Sequence, residues 1–330
     1  MNYIVITCLI FILELLYFKI ADRYHIVDRP SKRGSSTSIT LRGGGIVFWI
    51  GTFVYFIYSG FQYPFFMLGL TLISLISFWD DIHSLPPRFR LVMQFISMTL
   101  MFYQQDLAHL NTWWMIILAL IVCVGVVNVF NFMDGINGIT AGYSLAVLVP
   151  MLLQNRSVGL LDNRFLVTSI LSVLVFSIFN FRPKGKAKCF AGDVGSVSIA
   201  FILLFAIGKL IIAKHDITYL IFLIVYGVDA VLTIIHRMML HENLGEAHRK
   251  HAYQLMANEL KIGHVEVSLF YALLQMAISL VFIYICPGTS FAHWMFLLGT
   301  IVVLSVAYIL FMKRYYHLHE EYLTSLKDRI

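Results

Sequence analysis

Charge is scarce in this chain. Of its 330 residues only 13% are charged, while 59% are hydrophobic. Ordinary globular chains carry about 25% and about 45–50% respectively. That balance excludes disorder, a collagen-like repeat and a coiled coil, and it leaves too little polar surface for a soluble globular domain. Cysteine is sparse too. The four residues Cys8, Cys123, Cys189 and Cys286 lie far apart with no CxxC spacing, which argues against a zinc knuckle, a dithiol centre or a disulfide framework. Walker A and GxSxG sequences are missing in any usable context. His241-Glu242 opens an HExxH pattern, but Gly245 stands where the second histidine would be, so no zinc protease is indicated. No soluble domain of any size and no internal repeat interrupts the chain.

What the chain has instead is long apolar runs. A membrane-spanning helix needs roughly 20 apolar residues, with a tolerated range of about 17–25. Eleven stretches qualify as candidates: 3–20, 44–60, 64–79, 91–104, 113–131, 139–154, 165–181, 195–213, 217–235, 266–286 and 291–312. The fold class expected is therefore all-α, a polytopic membrane protein of about 11 transmembrane helices forming one integral domain over 1–330. The first stretch contains Glu14 and has no small-residue cleavage site after it, so it reads as a retained span. On this frame 20 of the 24 basic residues fall on one side. Only Arg156, Arg164, Lys209 and Lys214 fall on the other. The positive-inside rule makes the richer side cytoplasmic, with the N-terminus outside and the C-terminus inside the cell's inner (plasma) membrane. The net charge of +6 then reflects anionic lipid, not nucleic acid.

Polar clusters gather on that cytoplasmic side. Asp80 and Asp81 close one apolar run, two prolines follow, and Arg88 and Arg90 open the next. Acids at a helix C-terminus oppose the macrodipole, so the pair costs stability; metal coordination, proton abstraction and cation positioning are all open to it. Asn128, Asn131 and Asp134 recur every third residue and share a helical face, before Gly135 and Gly138 and with Asn137 between them. An ordinary Asn/Gly turn is the plain alternative. Gly192-Asp193-Val-Gly195-Ser196 could offer a carboxylate to a hard cation beside a helix N-terminus, or merely cap it. His248, Arg249 and His251 suit phosphate recognition, or a basic helix lying on lipid. Arg42 leads the Gly43–Gly45 triplet on the same side. Glu14 and Asp229 are acids within spans and hence candidates for function.

The order DD-x6-R-x-R, NxxNxxDGxNG, FAGDxGS and AHRxHxYQ resembles the polyprenyl-phosphate N-acetylhexosamine-1-phosphate transferases, glycosyltransferase family 4. The likeness runs from about Asp28 to Gln254 and extends to Asp28-Arg-Pro30, Arg33-Gly-Ser-Ser36 and Arg42-Gly-Gly-Gly45. It is greatest to bacterial initiators of O-antigen and capsule synthesis. Thr37 stands where those proteins have histidine, and Ser-Ile-Thr-Leu precedes Arg42. The AHR form of the last motif points away from the enzyme that uses MurNAc-pentapeptide.

The resemblance implies transfer of a sugar-1-phosphate from a UDP-N-acetylhexosamine to a polyprenyl (undecaprenyl) phosphate, with UMP released and a lipid-linked surface polysaccharide begun. It implies magnesium, with manganese as a substitute, held by Asn131 and Asp193. It makes Asp80, Asp81, Asp134 and His248 the catalytic set. Arg42, Arg88, Arg90, Asn128, Asn137, Arg249 and His251 become substrate contacts, Asn137 and Asp134 on the nucleotide side. Asp80 and Asp81 then position reacting groups more than they remove protons, because a phosphate monoester with a second pKa near about 6 is already mostly dianionic. A homodimer is left open. The competing classes are a lipid-linked transporter or flippase and a lipid diphosphate hydrolase; UMP release dependent on both substrates separates them from the transferase.

Overall fold

A computed structural model describes residues 2–28, 39–107, 113–243, 245 and 248–327. Helices dominate: α1 (Tyr3–Arg23), α2 (Ile46–Tyr58), α3 (Pro64–Ile82), α4 (Pro87–Gln104), α5 (Trp113–Met133) and α6 (Ile139–Val158). They continue as α7 (Asn163–Asn180), α8 (Gly192–Lys214), α9 (Ile224–Met239), α10 (Ala252–Asn258), α11 (His264–Tyr284) and α12 (Ser290–Lys327). A two-residue antiparallel ribbon joins β1 (Val27–Asp28) to β2 (Thr40–Leu41) between α1 and α2.

Each of the eleven apolar stretches holds a helix, because hydrocarbon leaves backbone groups no partner but one another. Among the described residues, eight helices are long and apolar enough to cross a membrane, and the chain is a multi-pass membrane protein. The 13 residues of α2 rise only about 20 Å, short of the roughly 30 Å hydrocarbon core. The span expected at 217–235 starts as a 3-10 helix, Ile217–Leu223, before α9 begins. Gln275 of α11 repairs that irregularity: its amide donates to the Ile221 carbonyl at 3.0 Å and accepts from the Val225 N–H at 3.1 Å.

The core centres on α8. Most of its side chains are buried, from Val194 to Ile207 without a break, as suits a helix apolar all round. Small and hydroxylated residues let its neighbours close in. Ser74 of α3 meets Ser198 of α8 at 2.7 Å. A Cβ on Gly45 would collide with the Gly195 backbone, so α8 and the turn before α2 touch main chain to main chain. That turn is pinned by Gly44 N–H to the Phe190 carbonyl at 2.9 Å and Gly45 N–H to that of Ala191 at 3.0 Å. It therefore carries Arg42 to the start of α8, at the end of the bundle where α3 and α5 finish.

Candidate active site

Three carboxylates and two guanidinium groups meet at the N-terminus of α8. Asp81, its side chain fully buried, accepts three hydrogen bonds. Its Oδ1 takes Arg42 Nε at 2.6 Å and the Asp193 N–H at 2.9 Å, and its Oδ2 takes the Val194 N–H at 3.0 Å. The last α3 carboxylate thus caps the first turn of α8, where a negative charge is favoured. Gly192 permits it: its φ is +71°, and a Cβ there would lie 2.5 Å from Asp81 Oδ2. Asp80 accepts from the Leu85 N–H and from Arg90, each at 2.6 Å. Asp193 is less tightly held, with Arg42 and Arg90 both at 3.3 Å. Asn131 bonds Asp193 as well and donates to Ser196 at 3.2 Å.

Two lobes of one cleft open from this junction. Lobe 1, about 210 Å³, is lined by Arg42, Asn131, Asp134, Asn137, Asp193 and His264 among others. Lobe 2, about 580 Å³, is lined by Arg88, Arg90, Asn128, Asn131, His248 and His251, with Leu91 and Phe132 at its edge. Asn131 borders both. Leu91 and Phe132 are exposed, so lobe 2 gives onto the apolar outer surface of the bundle. A 60 Å³ pocket with Asp193, Arg90 and Asn131 in its wall adjoins the junction.

The sequence-derived residues fall into three groups. Arg42, Asp80, Asp81, Arg90, Asn131 and Asp193 form the junction. Arg88, Asn128, His248 and His251 line lobe 2, and Asp134 and Asn137 line lobe 1. Asn128 is locked to Gln94 by reciprocal amide contacts at 2.8 and 3.4 Å. Asn137 spends its amide N–H groups on the Arg182 and Pro183 carbonyls at 2.9 and 3.0 Å, so it braces the loop over lobe 1 and only its side-chain oxygen is left for a ligand. Arg249 departs furthest from its expected place. Its guanidinium pairs with Glu259 at 3.0 Å and lies 4.5 Å from the Tyr322 ring centroid, away from both lobes, because the end of α12 covers that side of the loop. The motif from Arg29 to Ser38 lies outside the described residues.

Burial and neighbours set the protonation of the loop groups. Asp134, accepting from Thr140 Oγ1 at 2.6 Å, is pushed up to about 7 by burial, with Asp193 and Asp81 adding repulsion. Burial, then His251 and Arg237, lower His248 to about 3, so it stays neutral and acts through hydrogen bonds. His251 is oriented from behind. Its Nδ1 lies 3.2 Å from Asp229 Oδ1, and Asp229 also accepts from the Ala252 N–H at 3.1 Å and Tyr271 Oη at 2.6 Å. The intramembrane acid Asp229 therefore anchors the histidine loop. Glu14 is buried at the edge of Gly44 and Cys189, and neither of its carboxylate oxygens has a hydrogen-bond partner among the described residues. His264 and Gln94 carry no sequence signal; only the packing brings them to the cleft.

A magnesium site is compatible with this donor set. Among the described residues no group of three His, Cys, Asp or Glu side chains is placed to hold a metal. Magnesium, however, commonly takes one or two carboxylates and completes its shell with water and substrate phosphates. Asp193, whose guanidinium contacts are long, and the Asn131 side-chain oxygen suit that pattern. Fully ionised, the three carboxylates facing two guanidinium groups would carry a net negative charge for a cation to offset.

The family model described as glycosyl transferase family 4 matches residues 63–211. That stretch carries the junction from Asp80 to Asp193 and leaves out Arg42 and the histidine loop. A Methanocaldococcus jannaschii protein named as a glycosyltransferase is 30% identical over 183 residues, 52% of this chain and 56% of its own. A Bacillus subtilis protein named as an undecaprenyl-phosphate N-acetylglucosaminyl 1-phosphate transferase is 27% identical over 279 residues, 77% of this chain and 76% of its own. The Mycobacterium leprae decaprenyl-phosphate N-acetylglucosaminephosphotransferase is 31% identical over 172 residues, 45% and 42% of the two chains. The chain thus spans about half the length of the first relative and about three quarters of the second.

Proposed function

We propose, from its similarity to glycosyl transferase family 4, that the chain is a member of that family and transfers an N-acetylhexosamine-1-phosphate from a UDP-sugar to a polyprenyl phosphate, releasing UMP. The observation that carries the proposal is the two-lobed cleft, in which Arg42 and Arg90 both reach Asp193 where the lobes meet. One lobe gives onto the apolar surface and suits a lipid phosphate. The other is walled by polar loops and suits a soluble nucleotide. Relatives named for undecaprenyl and decaprenyl phosphate support the lipid. The basic residues favour a cytoplasmic site in the plasma membrane, the N-terminus outside and the C-terminus inside. Starting a surface polysaccharide is the role that fits this chemistry.

The reaction is one in-line displacement. A lipid phosphate oxygen in lobe 2 attacks the phosphorus that bears the sugar. The bond from that phosphorus to the UMP oxygen breaks, and its electron pair leaves with UMP. In-line geometry places the leaving group opposite the nucleophile, so UMP lies in lobe 1. The lipid phosphate, with its second pKa near about 6, needs little help in losing a proton. Asp81 accepts three hydrogen bonds and Asp80 two, so neither is poised as a base or a nucleophile. They hold Arg42, Arg90 and the α8 N-terminus where phosphate charge gathers. Bidentate guanidinium groups suit that task. Asp193 and Asn131 would hold magnesium, which when bound neutralises phosphate charge. His248, whose Nδ1 accepts from the Lys250 N–H at 3.4 Å, keeps an Nε2–H that can donate to a phosphate oxygen in lobe 2, beside His251.

The test is UMP release by purified protein given undecaprenyl phosphate, magnesium and a panel of UDP-N-acetylhexosamines. Release from one donor is expected, abolished without lipid and in Asp193→Asn. Release that persists without lipid would mean hydrolysis instead of transfer.

A further inference from the structure

One buried ring in lobe 1 has a hydrogen bond that the protein leaves unmade. His264 opens α11, is 2% exposed and lines the lobe. Its Nδ1 accepts from the Asn137 backbone N–H at 3.2 Å. A backbone amide only donates, so Nδ1 carries a lone pair and the ring proton sits on Nε2. That Nε2 is buried and has no partner among the described residues. Native structures rarely leave a buried donor unsatisfied without cause.

The surroundings narrow what could satisfy it. Two amide side chains share this part of the wall. Asn137 has given both N–H groups to loop carbonyls. Asn180 donates to the Cys189 carbonyl at 2.9 Å and accepts from the Gly138 N–H at 2.8 Å. Asn137 has no donor left and the Asn180 nitrogen is already engaged, whereas the His264 Nε2–H has no partner at all among the described residues. Arg42 and Arg90 are engaged with Asp80, Asp81 and Asp193 at the junction, while His264 is held on the Asn137 N–H. A neutral donor in the wall of a nucleotide lobe suits a neutral acceptor.

We propose that His264 is a specificity-determining residue whose Nε2–H donates to the O4 carbonyl of the uracil base bound in lobe 1. The inference rests on the reading of lobe 1 as the UMP side of the reaction. Uracil offers two carbonyl acceptors. Cytosine replaces one with an amino group, and that donor facing a fixed N–H would be rejected, because a site built for one hydrogen-bond pattern leaves buried groups unpaired with the other.

The experiment is calorimetric titration of the detergent-purified full chain with UDP, CDP and UDP analogues lacking either O2 or O4. In His264→Asn the side-chain oxygen still faces the Asn137 N–H while the ε donor is gone; His264→Gln restores a donor at the ε position. The wild-type protein should bind UDP more tightly than CDP and lose up to about tenfold for the analogue lacking O4 but not for the one lacking O2, the worth of a neutral hydrogen bond. His264→Asn should lose a similar factor for UDP and nothing further for that analogue, and His264→Gln should recover part of the loss. A folded His264→Asn that binds UDP as the wild type does, or loses affinity equally for UDP and both analogues, would overturn the proposal. Should neither variant fold, the wild-type protein still decides: undiminished affinity for the analogue lacking O4 overturns it. If the wild-type protein binds no UDP, the nucleotide reading of lobe 1 fails first and the inference with it.

Discussion

Substituting Asp81 by Asn separates a positioning carboxylate from a base. The Asp81 side chain is fully buried and accepts from Arg42, the Asp193 N–H and the Val194 N–H at 2.6, 2.9 and 3.0 Å. An amide can keep the oxygen that serves Arg42 and Asp193, but its NH2 then faces the Val194 N–H, donor against donor. Hydrogen bonds to a charged group contribute about 1.5–3 kcal/mol and neutral ones about 0.5–1.5 kcal/mol. One bond is lost and two are weakened, for about 4 kcal/mol in total. Arg42 is 32% exposed and keeps Asp193, so water screens part of the loss and about 3 kcal/mol remains. Asp80→Asn leaves the Leu85 contact, and its partner Arg90 is 36% exposed, so about 1 kcal/mol is expected there. Thermal unfolding in detergent should therefore rank wild type above Asp80→Asn above Asp81→Asn. UMP release by Asp81→Asn should fall about 100-fold, the scale of a displaced reacting group, and should stay low at alkaline pH. Recovery of activity at high pH, or unfolding that ranks Asp80→Asn below Asp81→Asn, would refute the reasoning.

Other perturbations test other parts of the site. Arg90 meets Asp80 and Asp193 through one nitrogen, Nη1, so in Arg90→Lys an ammonium can keep those contacts but not the second guanidinium nitrogen that a bidentate phosphate contact needs, and initial rates of UMP release should drop about tenfold; an unchanged rate would contradict the bidentate phosphate role. Gly192→Ala puts a Cβ against Asp81 Oδ2 at φ +71° and should lower the melting temperature as Asp81→Asn does, because the backbone strain alone costs about 1–3 kcal/mol. Asp134 rises from an unfolded value near 3.8 to about 7, so the folded protein holds that proton more tightly. The resulting stability is complete below about pH 4 and is lost as pH climbs through about 7. Without divalent cations, Asp134→Asn should gain on the wild type in melting temperature between about pH 5 and about pH 8; a gap that ignores pH would count against the burial of that carboxyl.

The sequence reveals the helices because a bilayer demands long apolar runs, and each run expected to span holds a helix. It does not reveal that 217–223 is a 3-10 helix, since Gln275, some fifty residues away, supplies the hydrogen bonds that make the irregular backbone tolerable. Within the site, motif spacing brings the carboxylates, amides and arginines to one end of the bundle. Their commitments are another matter. That Asp81 caps α8 and that Asn137 braces the Arg182 loop depend on contacts between distant segments, which periodicity does not encode. Arg249 shows the same limit: its partners Glu259 and Tyr322 come from α10's end and from α12. Asp229 was visible as an acid within a span, because charge there is costly, and its four donors explain how the cost is met. His264 has no such mark. A histidine at a helix start is unremarkable until the Asn137 N–H beside it assigns its proton.

Isotope exchange tests the central claim most directly, that lipid and nucleotide meet in one cleft for a single direct transfer. Purified protein would be incubated with magnesium, the UDP-N-acetylhexosamine donor it accepts and labelled UMP, with and without undecaprenyl phosphate. Label should enter the UDP-sugar only when the lipid is present, because UMP can return to the sugar phosphate only from the lipid-linked product. Exchange without lipid would reveal a covalent sugar-phosphate on the protein, and no exchange with lipid would deny the transfer itself; either result contradicts the account.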